Sequence, residues 1–364
     1  MFDTAEMAIA AKAPAVAFQE ALEEIRTRIK SRGEVSQVRN LITRDSIEKL
    51  NEVASEAFDD NERAVRFYGG MIHLHPQAYF TVNKPDQTKD RDTNRELGDL
   101  LLVAAFTEMD GSGNHVIKRK RGCLIQAKTS KSKKGATMTR LNLAVDATPV
   151  GTNAEQFYLL NEQPPFTLTK GGQQSYSLKH LNDPKLRPLA KYCFIWNGSK
   201  SKAPSRWDSS WQCAIPVTSA KANLALGSLL ADLIECHPAA GLDFFPQASS
   251  APNDWERLMA DLTEHCSTHE WGEHSNLADP ADRSFMGRIA AFATLQQHAR
   301  VSDGFHYWFS EPPESFWPDA SKPDGMPVLV ISVASFQKPE SAEPLTRMAR
   351  HTAVKKAAVT LRGH

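Results

Sequence analysis

Two apolar runs separated by one glycine-rich turn constrain this chain more than any other feature. The first is Glu96-Leu97-Gly98-Asp99-Leu100-Leu101-Leu102-Val103, and the second is Gly122-Cys123-Leu124-Ile125-Gln126-Ala127-Lys128. Between them, Asp110-Gly111-Ser112-Gly113-Asn114 has the composition of a turn. Two such runs joined this way read as a β-hairpin. If the turn centres near Ser112 and Gly113, paired positions sum to about 225. Asp99 then lies opposite Gln126. Side chains alternate faces along a strand, so Gln126 and Lys128 share one face and Asp99 joins them there. An acid, an amide and an amine converge at one end of the ribbon. A bulge or a one-residue slip would send Asp99 to the other face.

The charge pattern concentrates on the same hairpin. The chain carries 43 basic and 43 acidic residues, so it is neutral as a whole. From His115 to Arg140, however, it holds Lys118, Arg119, Lys120, Arg121, Lys128, Lys131, Lys133, Lys134 and Arg140, and no acid. A polyanionic partner such as nucleic acid is the natural physical reading. A solvated hairpin with a lysine loop is the plainer alternative. No apolar run approaches the ~20 residues that span a membrane, so a membrane partner is not expected. Residues 1–18 contain Asp3 and Glu6 and lack a basic start, unlike a signal peptide. Cys123, Cys193, Cys213, Cys236 and Cys266 are odd in number and widely spaced, which reads as free thiols in a reducing cytoplasm.

Along the chain, residues 18–30 carry Phe18, Leu22, Ile25 and Ile29 at helical spacing. Asp45 caps a second helix through Ile47, Leu50, Val53 and Ala57, which residues 61–67 extend until Gly69-Gly70 breaks it. Residues 78–82 read as a strand, and 83–95 as a charged loop. After the hairpin come a short strand at 141–145 and a helix at 154–160 that Pro164-Pro165 ends. Residues 167–185 read as loop, 192–196 and 211–217 as strands, and 224–236 as a buried helix. Asp254 caps a helix with Trp255, Leu258, Met259 and Leu262 on one face. A helix at 285–298, a strong strand at 326–336 and a basic, partly helical tail at 347–364 complete the reading. The order fits an α/β fold with a mixed sheet. The best boundary falls near residue 165, although the later strands could equally extend the first sheet.

A Gly-Asp on one strand, followed on the next by an apolar run and Gln-x-Lys, resembles the PD-(D/E)xK nuclease superfamily, and Gln126-Ala127-Lys128 looks most like its Mrr-type variant. The resemblance covers residues 45–165 at most. It implies a restriction-endonuclease-like mixed β-sheet flanked by helices over residues 1–165, with 166–364 as a C-terminal α/β extension. It implies Asp99, Gln126 and Lys128 as catalytic residues. It also implies a Mg²⁺ or Mn²⁺ site on Asp99, Gln126 and the backbone carbonyl of Ala127. Because Gln126 is neutral, the site lacks one negative charge, and many family members carry a glutamate on the first helix. Glu56 and Glu62 are the leading candidates here, with Glu20 and Glu24 behind them. Glu96, three residues before Asp99, points to the other face of a regular strand and reads as a salt-bridge partner. Lys118, Arg119, Lys120, Arg121, Lys131, Lys133 and Lys134 would hold the DNA backbone. The implied activity is a cytoplasmic, metal-dependent DNA endonuclease, and by analogy the role is restriction or anti-phage defence. Cutting both strands often calls for a homodimer. A silent nucleic-acid-binding module, or a sensing subunit with a partner protein in a defence or repair complex, is the rival reading.

Three other constellations compete for attention. His265 and His269 stand one helical turn apart with Cys266 and His274 nearby, but there is no H-E-x-x-H, and a polar helix end is the favoured reading over zinc. His73 and His75 precede Pro76 and read as packing residues. Trp196, Trp207 and Trp211 flank a lysine- and serine-rich loop and read as core anchors at strand ends in preference to base-stacking platforms. No Walker A, G-x-G-x-x-G or G-x-S-x-G motif occurs, which excludes the common nucleotide-driven and serine-hydrolase signatures.

Overall fold

Unbroken apolar strands belong inside a sheet covered on both faces, and the longest such runs of this chain lie there. The computed structural model describes residues 14–28, 34–58, 63–73, 76–82, 91–110, 114–130, 152–196, 211–214, 224–244, 252–268 and 325–335. The expected strand at 141–145, helix at 285–298 and tail at 347–364 lie outside them. Among the described residues the main sheet has eight strands: β1 (Arg63–His73), β4 (Leu100–Met109), β5 (His115–Ser130), β8 (Ala190–Trp196), β9 (Trp211–Ala214), β10 (Leu224–Ala225), β11 (Leu242–Phe244) and β12 (Gly325–Ser335). The order is β1-β12-β4-β5-β8-β9-β10, with β11 against β5. β12 is antiparallel to β1 and parallel to β4, while β5 is antiparallel to β4 and parallel to β8. A second sheet runs β3 (Arg91–Glu96), β2 (Gln77–Val82), β6 (Phe166–Thr167), β7 (Ser175–Tyr176).

Alternation along the central strands feeds two cores. Leu101, Val103, Leu124, Val328 and Val330 face one side, with Phe80 and Phe166 of the second sheet and with helices α4 (Thr152–Glu162) and α6 (Asp254–Thr268). Leu100, Leu102, Ile125, Leu329 and Ile331 face the other. Helices α1 (Pro14–Arg28), α2 (Glu34–Asn40), α3 (Arg44–Phe58) and α5 (Leu226–Ile234) cover that side. Strands from both sides of residue 165 share one sheet, and β12 sits between β1 and β4. No domain boundary therefore falls at 165. No helix among the described residues is long and apolar enough to cross a membrane.

Residues 63–73 and 83–95 depart furthest from the sequence reading. Residues 63–73 form strand β1 in place of a continued helix. Val65 and Phe67 enter one core and Tyr68 and Ile72 the other, so tertiary packing overrides a weak helical pattern. The supposed breaker Gly69 lies inside this strand opposite Leu329, and glycine is needed there because a Cβ would come within 2.7 Å of the Ile42 carbonyl. The charged connector at 83–95 also ends in strand β3, paired with β2 from Gln77 opposite Glu96 to Val82 opposite Arg91. Charged residues on an edge strand keep it soluble and discourage further pairing, which is why no apolar signal marks it.

The crossing of α1 and α5 depends on Gly227. Its N–H donates to Gln19 Oε1 at 2.9 Å, and an added Cβ would lie 2.5 Å from Gln19 N and 2.6 Å from the Ala15 carbonyl. Gly227→Ala is therefore expected to destabilise the protein by about 2 kcal/mol, since backbone on both sides must shift. Urea denaturation measures this, and an unchanged midpoint would contradict the close packing of the two helices.

Candidate active site

The β4–β5 pairing places the hairpin residues. Leu100 lies opposite Ile125, and the register holds without slip as far as Phe106 opposite Arg119. One residue before Leu100, the Asp99 N–H donates to the Ile125 carbonyl at 2.8 Å, so Asp99 enters the pairing beside Gln126. Gln126 Nε2 donates to Asp99 Oδ2, and the Ala127 N–H donates to the same oxygen at 2.8 Å. Asp99 Oδ1 receives no hydrogen bond among the described residues. A bulge does interrupt the hairpin, between Phe106 and Thr107, but it lies on the turn side of the site.

Lys128 is one step further along β5 on the same face. Its ammonium lies 3.3 Å from Glu34 Oε1, an acid at the start of α2. Among the described residues Glu34 is thus the upstream glutamate that reaches the hairpin, and it was not among the acids expected to do so. Glu56 is exposed on α3, Glu62 lies outside the described residues, Glu20 is exposed on α1, and Glu24 pairs with Lys49 at 3.3 Å. The sequence carried little signal for Glu34, since α2 has seven residues and only two valines to mark it. Glu96 is not on β4 at all. It ends β3, and the chain crosses between sheets over Leu97 to Asp99.

The surroundings act strongly on Asp99. Burial pushes its carboxyl up to about 7 from 3.8; the charge of Lys128 pulls it down, Glu34 pushes it up, the Ala127 N–H pulls it down, and Glu96 pushes it up. The negative charge at this position is therefore under-compensated by the protein.

A second glutamine, absent from the sequence reading, completes the polar core of the site. Gln156 of α4 is 4% exposed, and its Nε2 donates to Gln126 Oε1. The Gln126 oxygen, expected to face a metal, is turned to α4 instead. The neighbouring residue anchors that helix: Glu155 is fully buried and pairs with Arg91 and Arg95 of β3, and it accepts from Thr93 Oγ1 at 2.9 Å.

Most of the described basic residues expected to hold DNA are engaged within the fold. β11 pairs along residues 120–122 of β5 and covers that edge. Arg121 donates to Asp243 Oδ1 at 2.7 Å and to the His237 carbonyl at 2.8 Å. Arg119 lies over the Phe106 ring, donates to Cys236 Sγ at 2.7 Å and approaches Asp243 at 3.8 Å. The Lys120 ammonium sits over the Phe244 ring, and burial pulls it down to about 8. An ammonium buried over an aromatic ring has little access to a phosphate. Lys118 is exposed. Lys131, Lys133 and Lys134 lie outside the described residues.

Of the other constellations, His75, Trp207, His269 and His274 lie outside the described residues. His73, Trp196 and Trp211 occupy strand ends in β1, β8 and β9, and His265 lies in α6. Cys123, Cys193 and Cys236 carry free thiols. Among the described residues no group of three or more His, Cys, Asp or Glu could hold a metal ion. The site's donors nevertheless fit a hard cation that keeps most of its water, which needs only one or two carboxylates with oxygens from carbonyls, water and phosphate. They are the open Oδ1 of Asp99, the Ala127 carbonyl and Glu34. No family model, curated protein or solved structure matches this chain.

The electrostatics of Asp99 have a measurable consequence. Its carboxyl binds a proton more tightly folded than unfolded, so its contribution to stability is complete below about pH 4 and is lost as pH rises through about 7. In metal-free buffer, the stability advantage of wild type over Asp99→Asn should fall by on the order of 3 kcal/mol between about pH 4 and pH 8. Urea denaturation of both proteins at each pH gives the difference. A pH-independent gap would mean that the carboxyl titrates like a free acid.

Proposed function

We propose that this chain is a metal-dependent DNA endonuclease of the restriction-endonuclease-like type. The observation that carries the reading is the meeting of Asp99, Gln126, Lys128 and Glu34 where two antiparallel strands end side by side. The helix–strand order supports it as well. Helix α3 precedes β1, the β4–β5 hairpin follows, and α4 connects β5 to the parallel strand β8.

Asp99 Oδ1, the Ala127 carbonyl and Glu34 would hold the divalent cation, which supplies Lewis-acid charge for a scissile phosphate. Gln126 and the Ala127 N–H hold Asp99 by its other oxygen, so the carboxylate keeps a fixed orientation. Lys128 carries the positive charge that stabilises negative charge developing on phosphate oxygens. Glu34 holds the Lys128 amine in place through their ion pair. With Arg119, Lys120 and Arg121 engaged in the fold, backbone contacts fall to Lys118 and to the basic residues of 131–134. A role in restriction or anti-phage defence rests on the family resemblance alone.

Plasmid DNA incubated with Mg²⁺ tests the reading. Wild type should nick or linearise it, and Asp99→Ala or Lys128→Ala should lower the rate by about a hundredfold or more. Full activity in either variant would sink the assignment. Binding without cleavage in Mg²⁺ and Mn²⁺ would favour a silent nucleic-acid-binding module, the reading that the neutral Gln126 makes the leading rival.

A further inference from the structure

Gln126 can face an ionised Asp99 in only one way. A carboxylate accepts and does not donate, so the Gln126 nitrogen must point to Oδ2. That turns the Gln126 oxygen toward α4, where the Gln156 nitrogen meets it. The same nitrogen lies 3.5 Å from the Glu96 carbonyl, which faces its second hydrogen. The donors run in one direction, from Gln156 to Gln126 to Asp99. Gln126 is 2% exposed, so water competes little for its amide. The start of this relay is fixed in space, because Glu155 ties α4 to Arg91 and Arg95 of β3.

We infer that Gln156 is a positioning residue of the site: acting through Gln126, it commits Asp99 Oδ2 to the protein and leaves Oδ1 for a divalent cation. The inference rests on reading Asp99 as a cation ligand. It gives Gln126 the task of orienting that ligand in place of being one. It also accounts for a neutral side chain where an acid is expected. A carboxylate at position 126 would still accept from Gln156 but would repel Asp99.

The test uses the full chain with Gln156→Glu and Gln156→Met, both close to glutamine in size. The readouts are the Gln126 side-chain amide resonances in cation-free protein and the affinity for Mn²⁺ by calorimetry. Gln156→Glu replaces a donor by an acceptor, so the Gln126 amide stands between two acceptors, and reversal toward the new carboxylate sets its oxygen against Asp99. Its resonances should shift, and Mn²⁺ should bind about tenfold more weakly. Charge alone predicts the opposite, since an added carboxylate near a cation tightens binding. Gln156→Met removes the donor without forcing the reversal and should weaken binding about threefold. Unshifted Gln126 resonances, or Mn²⁺ affinity equal to or tighter than wild type in a folded Gln156→Glu protein, overturn the inference. If that variant does not fold, the same two outcomes in Gln156→Met overturn it. A wild-type chain that binds no Mn²⁺ overturns the cation-ligand reading itself, and the Gln126 resonances then decide separately whether Gln156 sets that amide.

Discussion

The antiparallel pairing of β4 with β5 holds the rest of the structure in place. Both faces of these strands are buried, in two separate cores with different partners. A slip by one residue would exchange the contents of the two cores along the whole hairpin. Full burial of each Leu, Val or Ile side chain is worth roughly 1.5–3 kcal/mol, so the packing of Leu100, Leu101, Leu102, Val103, Leu124 and Ile125 enforces the register far more strongly than any polar contact could. The polar residues at the end of the hairpin inherit their positions from that enforcement. β8 and β11 share the second edge of β5, which leaves the strand little freedom to shift.

The same enclosure decides what the basic residues do. Lys120, Arg121 and Gly122 pair with β11, which places two charged side chains beside Phe244, Asp243 and the turn at His237. Such groups must find partners or lose their charge. Arg121 finds a carboxylate and a carbonyl, whereas Lys120 finds an aromatic ring and gives up part of its basicity. A run of like charge in a sequence is thus no guide to exposure once both edges of a strand are covered.

The convergence of Asp99, Gln126 and Lys128 was legible because alternation is a strict rule for paired strands. It was legible partly by compensation. Met109 pairs with His115, which is one residue off the assumed turn-centred register, and the bulge at Phe106/Thr107 restores that register before the site. Glu34 was not legible, since it opens a short helix with almost no apolar periodicity and reaches Lys128 only through the tertiary fold. Gln156 was hidden differently. It lies in a helix whose visible signal was apolar, with Phe157, Leu159 and Leu160 in the core, and nothing local distinguishes a buried glutamine with a partner from one that merely ends up inside. The strand at 326–336 was visible as a strand, yet its place between β1 and β4 follows from no local rule.

That placement bears on how the chain reaches its native state. β1 and β4 end at His73 and Met109, and the strand that joins them begins at Gly325. During synthesis the hairpin can close early, since its two strands are neighbours in the chain. The flanking strands must wait, with apolar surface and open backbone edges, until the far end of the chain emerges. Pairings of such high sequence separation form slowly and leave an interval in which unpaired edges can meet other molecules. Asp99 and Gln126 are thus brought together by a pairing local in the chain, while the sheet around them is closed by one of high sequence separation.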